Sequence, residues 1–366
     1  SDHFIMVIAY CFVRPPSQIT GINIMSKSPS FVLKHRNEDF YVKEVSLFPN
    51  DLTLNPLHKT HTLLQAKKEG YTTFEVIHTL AEFFNLNRLD VHCQGLKDED
   101  GITQQIISLK HITNREEIQD FNSKHSHLEK GWVELGIEGY SREAVQEKSL
   151  HGNVFTIVVR RLTSSLAEDL LDFCKNHADL VSANYYDQQR FGLPGGPFMA
   201  HQIGEAIVKN DWWLAEDLYL KSGNAELDDR KANSGDGSLK NIDHRKLNFF
   251  LGAYASYEWN NALSDAVNSE QKVEIFEGFN VSACVNPDAP LVSLLYSENY
   301  KIDENMQLKR AKKARTSCVN TTVYATDKRI DEEFTGHYAV DLQFFLPTGS
   351  YATMLVKQLI DAVEAS

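Results

Sequence analysis

The hydrophobic and polar positions of the chain divide it into short alternating stretches and longer helical ones. Residues 39–48, from Asp39 to Phe48, read as a strand with alternating faces. Thr72 followed by Glu75 is a capping-box start, and Phe74, Ile77, Ala81 and Phe84 recur at helical spacing, so the pattern predicts a helix over 73–86. A strand at 89–94 meets Gly95, and another, Gln105 to Leu109, follows a loop over 95–104. Residues 153–161 are rich in β-branched and aromatic types and predict a strand. The helix after it is expected to start at Ser165 with Glu168 and to pack through Leu166, Leu170 and Phe173. Asn184 to Gly192 leads into Leu193-Pro-Gly-Gly-Pro197, a turn signal.

Beyond about residue 205 the texture turns helical, with Trp212 and Trp213, a linker-like segment at 223–243 and an aromatic helix from Phe249 to Asp265. Ala339 to Phe345 is again a strand, and Pro347 to Ser350 turns into a terminal helix, Tyr351 to Glu364. A mixed first half, a helical middle and a strand–helix close suggest one domain interrupted by an insertion. No internal repeat is visible.

The length of 366 residues fits one large domain or two mid-sized ones. Hydrophobic residues at 42% and charged residues at 24% place the chain among soluble globular proteins. The longest apolar run, Phe4 to Val13, is about half a bilayer span and lacks a basic flank, so it is expected to be a buried strand, with no membrane partner. The five cysteines (Cys11, Cys93, Cys174, Cys284, Cys318) are scattered without a CxxC, which points to neither a disulfide framework nor a zinc knuckle and to a reducing, cytoplasmic setting.

A formal charge of −13 argues against holding nucleic acid by bulk electrostatics. Local basic stretches remain: Lys27, Lys34 and Arg36 early on, and Lys301, Lys309, Arg310, Lys312, Lys313 and Arg315 later. The ordinary reading of the second stretch is a solvated helix face.

The histidine pairs His58/His61 and His125/His127 have no Cys or carboxylate in ligand register and read as surface histidines. Phosphate-binding glycine loops and a GxSxG elbow are missing, so no metal and no nucleotide cofactor is implied. Carboxylate chemistry is left. Gly95-Leu-Lys-Asp98 is a tight polar loop between two strands, from which Asp98 can face a cleft; alone, such a loop is most often a surface turn.

Five ordered motifs change that reading. Lys34, Glu38, Asp39, Phe40 and Glu44 match a Lys and a Glu-Asp-Phe strand ending in Glu. Gly95, Leu96, Lys97, Asp98, Thr103 and Gln105 match G-[LQ]-K-D-x-x-A-x-T-x-Q, with Gly101 in place of Ala. Gly152-Asn153 precedes a strand, Asn184 to Gly192 is similar to NYFGxQRFG, and Leu346 to Thr353 to LPxGSYAT. In these, across nearly its whole length, the chain resembles the TruD family of tRNA pseudouridine synthases.

The resemblance implies an α+β fold: a pseudouridine synthase catalytic domain with a mixed, largely antiparallel sheet, interrupted by an inserted TruD-specific α/β domain. The expected division is 1–206 and 336–366 for the catalytic domain and 207–335 for the insertion. It implies isomerisation of a tRNA uridine, uridine 13, to pseudouridine without a cofactor. Asp98 is then the nucleophile, and Lys34 the cation that keeps it ionised and oriented. Tyr186 stacks on the flipped base, Asn184 offers donor and acceptor to its edge, and Phe40 walls the pocket. Lys309, Arg310, Lys312, Lys313 and Arg190 are candidates for phosphate contact.

Departures from the family pattern are Asp187 for a Gly, which adds negative charge beside the site, and few basic residues over 142–151, where Arg142 and Lys148 stand among Glu143 and Glu147. Three alternatives stay open: an inactive RNA-binding relative, a pseudouridine synthase acting on a different RNA, and a glycosidase using Asp98 with Glu99 or Asp100.

Overall fold

The computed structural model describes residues 30–97, 99–126, 130–177, 179–192, 197–222, 239, 244–286, 295–303 and 305–366, with the side chains of Glu147, His244 and Arg245 excepted. The expected strand at Phe4 to Val13, together with Lys27, Asp98, His127, Leu193 to Gly196 and, apart from Leu239, the segment 223–243, lies outside the described residues.

In chain order, β1 (Phe40–Ser46) and β2 (His61–Glu69) precede α1 (Thr73–Phe83), β3 (Val91–Cys93), β4 (Ile102–Leu109), α2 (Arg115–His125), β5 (Trp132–Ser141), β6 (Leu150–Leu162), α3 (Ser164–Asn176) and β7 (Leu180–Ala183). Helices α4 (Ala200–Val208), α5 (Trp212–Lys221) and α6 (His244–Val267) follow. They lead into the short strands β8 (Lys272–Phe276) and β9 (Phe279–Ser282) and the ribbon β10 (Leu295–Ile302) and β11 (Leu308–Arg315). The chain closes with β12 (Cys318–Thr321), β13 (Val323–Ala325), β14 (Arg329–Ile330), β15 (Tyr338–Pro347) and α7 (Ala352–Ala365).

Among the described residues, nine strands form one sheet in the order β13-β15-β6-β1-β4-β2-β5, with β14 beside β15 and β3 beside β4. β1 and β4 run parallel, Tyr41 opposite Ile102, while the other neighbours in this sheet are antiparallel. The sheet is therefore mixed and largely antiparallel, as expected. β7 pairs with β12, Val319 opposite Ser182, and so brings together the two ends of the excursion between them. β13 and β14, which fall inside the segment expected as an insertion, already belong to the main sheet.

Period-two burial builds the main core. Phe155, Ile157 and Val159 of β6 and Leu342, Phe344 and Leu346 of β15 lie under Leu166 and Leu170 of α3 and Leu355 and Leu359 of α7. A second core joins α1 and α2 to β2 and β4 through Val76, Leu80, Phe121, Leu64 and Ile107. A third, with Ile203, Ala215, Leu251 and Tyr300, binds α4, α5 and α6 to β10.

The capping box at α1 forms as read: Thr72 Oγ1 accepts from Glu75 N at 3.2 Å, and Glu75 Oε2 from Thr72 N at 2.7 Å. At α3 the cap is Thr163, accepting from Leu166 N at 3.2 Å, rather than Ser165; Glu168 is instead paired with Lys328. His61, expected at the surface, is buried, with its ring 6.4 Å from that of His92. The basic run Lys309 to Lys313 is a strand, not a helix face: Lys309 lies opposite Lys301, Arg310 opposite Tyr300 and Lys312 opposite Glu298.

Candidate active site

The segment that carries Lys34 is locked from below. Arg160, 1% exposed on β6, forks onto Asp39 with Nε and Nη2, both at 2.7 Å, and reaches Asp331 with Nη1 at 2.9 Å. Val32 and Arg160 exchange backbone hydrogen bonds of 2.9 and 3.0 Å, and Arg36 adds contacts to Glu332 and Glu333 at 2.7 and 2.9 Å. Burial alone would raise the Asp331 carboxyl. Backbone donors from Arg161 and Glu333 and the Arg160 guanidinium outweigh it and hold Asp331 below the usual carboxylate range.

This frame holds Lys34 at φ +54°, a left-handed conformation that L side chains adopt at a cost. Its Nζ sits 4.2 Å from the Phe40 ring centroid. Phe40 is itself a core residue, packed edge-on against Phe155.

The loop on which Asp98 lies is fixed on both flanks of that residue. On one side Lys97 N donates to Thr73 Oγ1 at 2.8 Å, and Lys97 Nζ forms a buried 2.6 Å ion pair with Glu44, whose other oxygen accepts from Ile106 N at 3.0 Å. On the other side Glu99 lies 3.5 Å from Lys130, and Gly101 N donates to Glu99 O at 3.0 Å. Gly101 has φ +144°, and a Cβ there would come within 2.6 Å of the Phe40 carbonyl, so the chain takes Gly where the family pattern has Ala. Lys97, adjacent to Asp98 in sequence, is thus turned toward Glu44.

Asn184 and Tyr186 are set by α6 and by the end of β11. Asn260 clamps the Tyr186 backbone, with Tyr186 N donating to its Oδ1 and its Nδ2 donating to Tyr186 O, both at 2.9 Å. Trp259 Nε1 donates to Asn184 O at 3.0 Å. The Asn184 side chain is 5% exposed and already engaged: Nδ2 donates to Thr316 O at 3.1 Å, and Oδ1 accepts from Arg315 Nη2 at 3.0 Å. Nδ2 also donates to Thr316 Oγ1 at 3.3 Å, so both amide N–H groups have an acceptor within the fold and one lone pair of Oδ1 is left over. It is thus a tied amide, not the open base-edge reader that the sequence suggested.

The Arg315 guanidinium lies 3.9 Å from the Tyr186 ring centroid, and the Tyr351 ring stands edge-on to Tyr186 at 5.7 Å. Burial lowers the affinity of Arg315 for its proton, and burial pushes the Tyr351 phenol up to about 12.

Asp187, flagged for its negative charge, is neutralised. Lys357 Nζ meets Oδ1 at 2.9 Å, the Thr353 hydroxyl donates to Oδ2, and Gln188 N donates to Oδ1 at 2.8 Å. The LPxGSYAT stretch therefore bears on the site through the start of α7. A cleft of about 1590 Å³, lined among others by Lys34, Asp100, Asp187, Gln189 and Lys357, runs between the Lys34 segment and this corner. Its size exceeds that of ordinary small-ligand pockets. Asn184, Tyr186 and Phe40 are not among its lining residues.

Lys309, Arg310, Lys312 and Lys313 are exposed on β11, the strand that ends at Arg315. Arg190 is half-buried against α6. Arg315, Asn260, Trp259 and Lys357 were not singled out as site residues from the sequence; the only signal for the first was its place at the end of a basic run. Among the described residues no cluster of three or more His, Cys, Asp or Glu could hold a metal ion, and no helix is long and apolar enough to cross a membrane.

Comparison with known proteins bears on this arrangement. The family model described as tRNA pseudouridine synthase D (TruD) matches residues 25–234. The tRNA pseudouridine synthase D of Sulfurimonas denitrificans is 27% identical over 188 residues, which span 50% of this chain and 49% of that protein. A probable tRNA pseudouridine synthase D 1 of Methanococcus maripaludis is 23% identical over 90% of this chain and 99% of its own. In fold, the chain is similar to the crystal structure of a Methanosarcina mazei protein described as a candidate TruD, with a TM-score of 0.59 at 19% identity, covering 90% of this chain and 93% of that one.

Proposed function

Because this chain belongs to the TruD family of tRNA pseudouridine synthases, we propose that it isomerises a uridine of tRNA, uridine 13 by family resemblance, to pseudouridine, with Asp98 as nucleophile. The reaction breaks the N1–C1′ bond, turns the uracil, joins C5 to C1′ and removes the C5 proton while N1 takes one up, so that the product is an isomer of the substrate. No electrons are exchanged with an external partner. A carboxylate can attack the sugar carbon and leave again.

The observation that carries the reading is the anchoring of the motif loop. Residues on either side of Asp98 are held by Glu44, Thr73 and Lys130, which favours a side chain kept for chemistry over a loose surface turn. Lys34 would keep the carboxylate ionised, and the strain at its backbone supports a role beyond packing. Tyr186 supplies a ring for stacking, and Asn184 the remaining lone pair of Oδ1 for an N–H of the base edge. The same reading gives the basic ribbon, Lys309, Arg310, Lys312 and Lys313, to phosphate contact. It keeps 207–335 as the family-specific insertion, less β13 and β14, which pair within the main sheet.

Incubation with tRNA followed by carbodiimide-stop mapping tests the proposal. A new pseudouridine is expected with the wild type and none with Asp98→Asn, which keeps the shape and removes the charge. Product from the variant above about a hundredth of wild type, or none from the wild type while tRNA is bound, refutes it; the second outcome leaves the inactive RNA-binding relative.

A further inference from the structure

Two guanidiniums share the Tyr186 ring. Arg315 Cζ lies 3.9 Å and Arg190 Cζ 6.0 Å from its centroid. Arg190 is anchored through Nε to Ser256 Oγ at 3.1 Å. Room for its Nη2 exists because position 252 carries no side chain: a Cβ there would lie 2.4 Å from that nitrogen. Arg315 reaches Asn184 through Nη2, while its Nε is buried with no partner. Ser350, whose hydroxyl is also buried and unpartnered, follows Gly349, beside which Arg315 Nη1 lies.

Neither guanidinium meets a carboxylate among the described residues. Arg160 sits on Asp39 and Asp331, Lys97 on Glu44, Lys59 on Asp51 and Lys357 on Asp187. With a formal charge of −13, acids are not scarce. Two cations at one ring, with no acid between them among the described residues, repel one another, and the buried Arg315 has also lost hydration, a combination that an incoming anion relieves.

We propose that Arg190 and Arg315 form a site for one phosphodiester of the bound RNA, next to the nucleotide whose base enters the pocket; this rests on the reading of the protein as an RNA-modifying synthase. Paired guanidinium forks match the several acceptor oxygens of a phosphate. Grip at this point has a mechanical use, since the ribose and its phosphate must stay fixed while the detached uracil turns.

The test uses a tRNA transcript in which the converted uridine has been mapped, with a neutral methylphosphonate placed 5′ or 3′ of it, and reads Kd by fluorescence anisotropy over a range of KCl. One of the two neutral RNAs should bind wild type about tenfold more weakly, with a log–log salt slope smaller by about one. Arg315→Gln and Arg190→Gln should show the same loss with unmodified RNA, and the neutral linkage should cost these variants less than twofold more.

The proposal is overturned if both neutral RNAs bind wild type as the unmodified one does, or if the loss is as large in the variants as in wild type. Because the change lies on the RNA, misfolding cannot imitate it. If no uridine is converted, the functional reading fails, and the salt slopes of the two Gln variants with unmodified tRNA still decide the phosphate site: smaller slopes uphold it and unchanged slopes refute it.

Discussion

His201 makes a sharp test of how the helical core supports this corner. It lies on α4, 7% exposed, stacked on Tyr257 at 4.6 Å and surrounded by Phe191 and Phe276, with Nδ1 buried and unpartnered. Burial pushes its imidazolium down to about 4; Glu205, one turn along, favours the proton but is outweighed. The unfolded chain takes up this proton near pH 6.5. The folded chain therefore binds fewer protons between pH 6.5 and about 4, so stability is full above that window, falls as the pH drops through it and levels off below it.

At pH 4.5 the loss from this one group is about 2.5 kcal/mol relative to pH 7.5. Replacing it by Phe keeps a ring among rings and removes the titration. Urea unfolding followed by tryptophan fluorescence, using the chain's four tryptophans, should show wild type and His201→Phe diverging by about 2.5 kcal/mol between pH 7.5 and 4.5. Carboxylate protonation affects both proteins and drops out of the difference. Curves that stay parallel within about 0.5 kcal/mol would refute the assignment of a neutral buried imidazole.

Three further outcomes are expected. Lys34→Ala should cut turnover at saturating tRNA while changing Kd less than about twofold, as measured by single-turnover kinetics; the reverse pattern moves Lys34 to the binding surface. Changing Lys309, Arg310, Lys312 and Lys313 to Gln should weaken tRNA binding and flatten the salt slope by roughly one per lost phosphate contact, with saturated turnover little changed; unchanged slopes would leave the ribbon a solvated edge. Arg160→Met strands the buried Asp39 and Asp331 carboxylates and should cost about 3–5 kcal/mol in urea unfolding at pH 7, with a cost under about 1 kcal/mol showing the network to be dispensable.

The first half of the fold was legible because its signals are local. Alternation marks β1, β-branched and aromatic content marks β6, Thr72 with Glu75 marks α1, and the motif glycines mark the loops. The basic run was misread for a physical reason: Leu308 to Arg315 consists of Leu, Lys, Arg and Ala, all strong helix formers, and becomes a strand only through pairing with β10. A propensity measured along one segment cannot see its partner. Arg315 went unassigned by the same blindness, since a cation at the end of a basic run looks solvated until Tyr186 and Asn184 close around it. Asp187 looked like an added charge because Lys357, 170 residues away, is invisible at its position in sequence.

The lock beneath Lys34 also imposes an order of events on synthesis. Arg160 holds Asp39, 121 residues before it, and Asp331, 171 residues after it. At ordinary translation rates the last of these leaves the ribosome on the order of tens of seconds after the first. Throughout that interval the segment bearing Lys34 has been made and its frame has not. A nascent or prematurely ended chain can thus display the motif residues while being unable to hold them in place, so that any chemistry at this corner waits until Asp331 has been made.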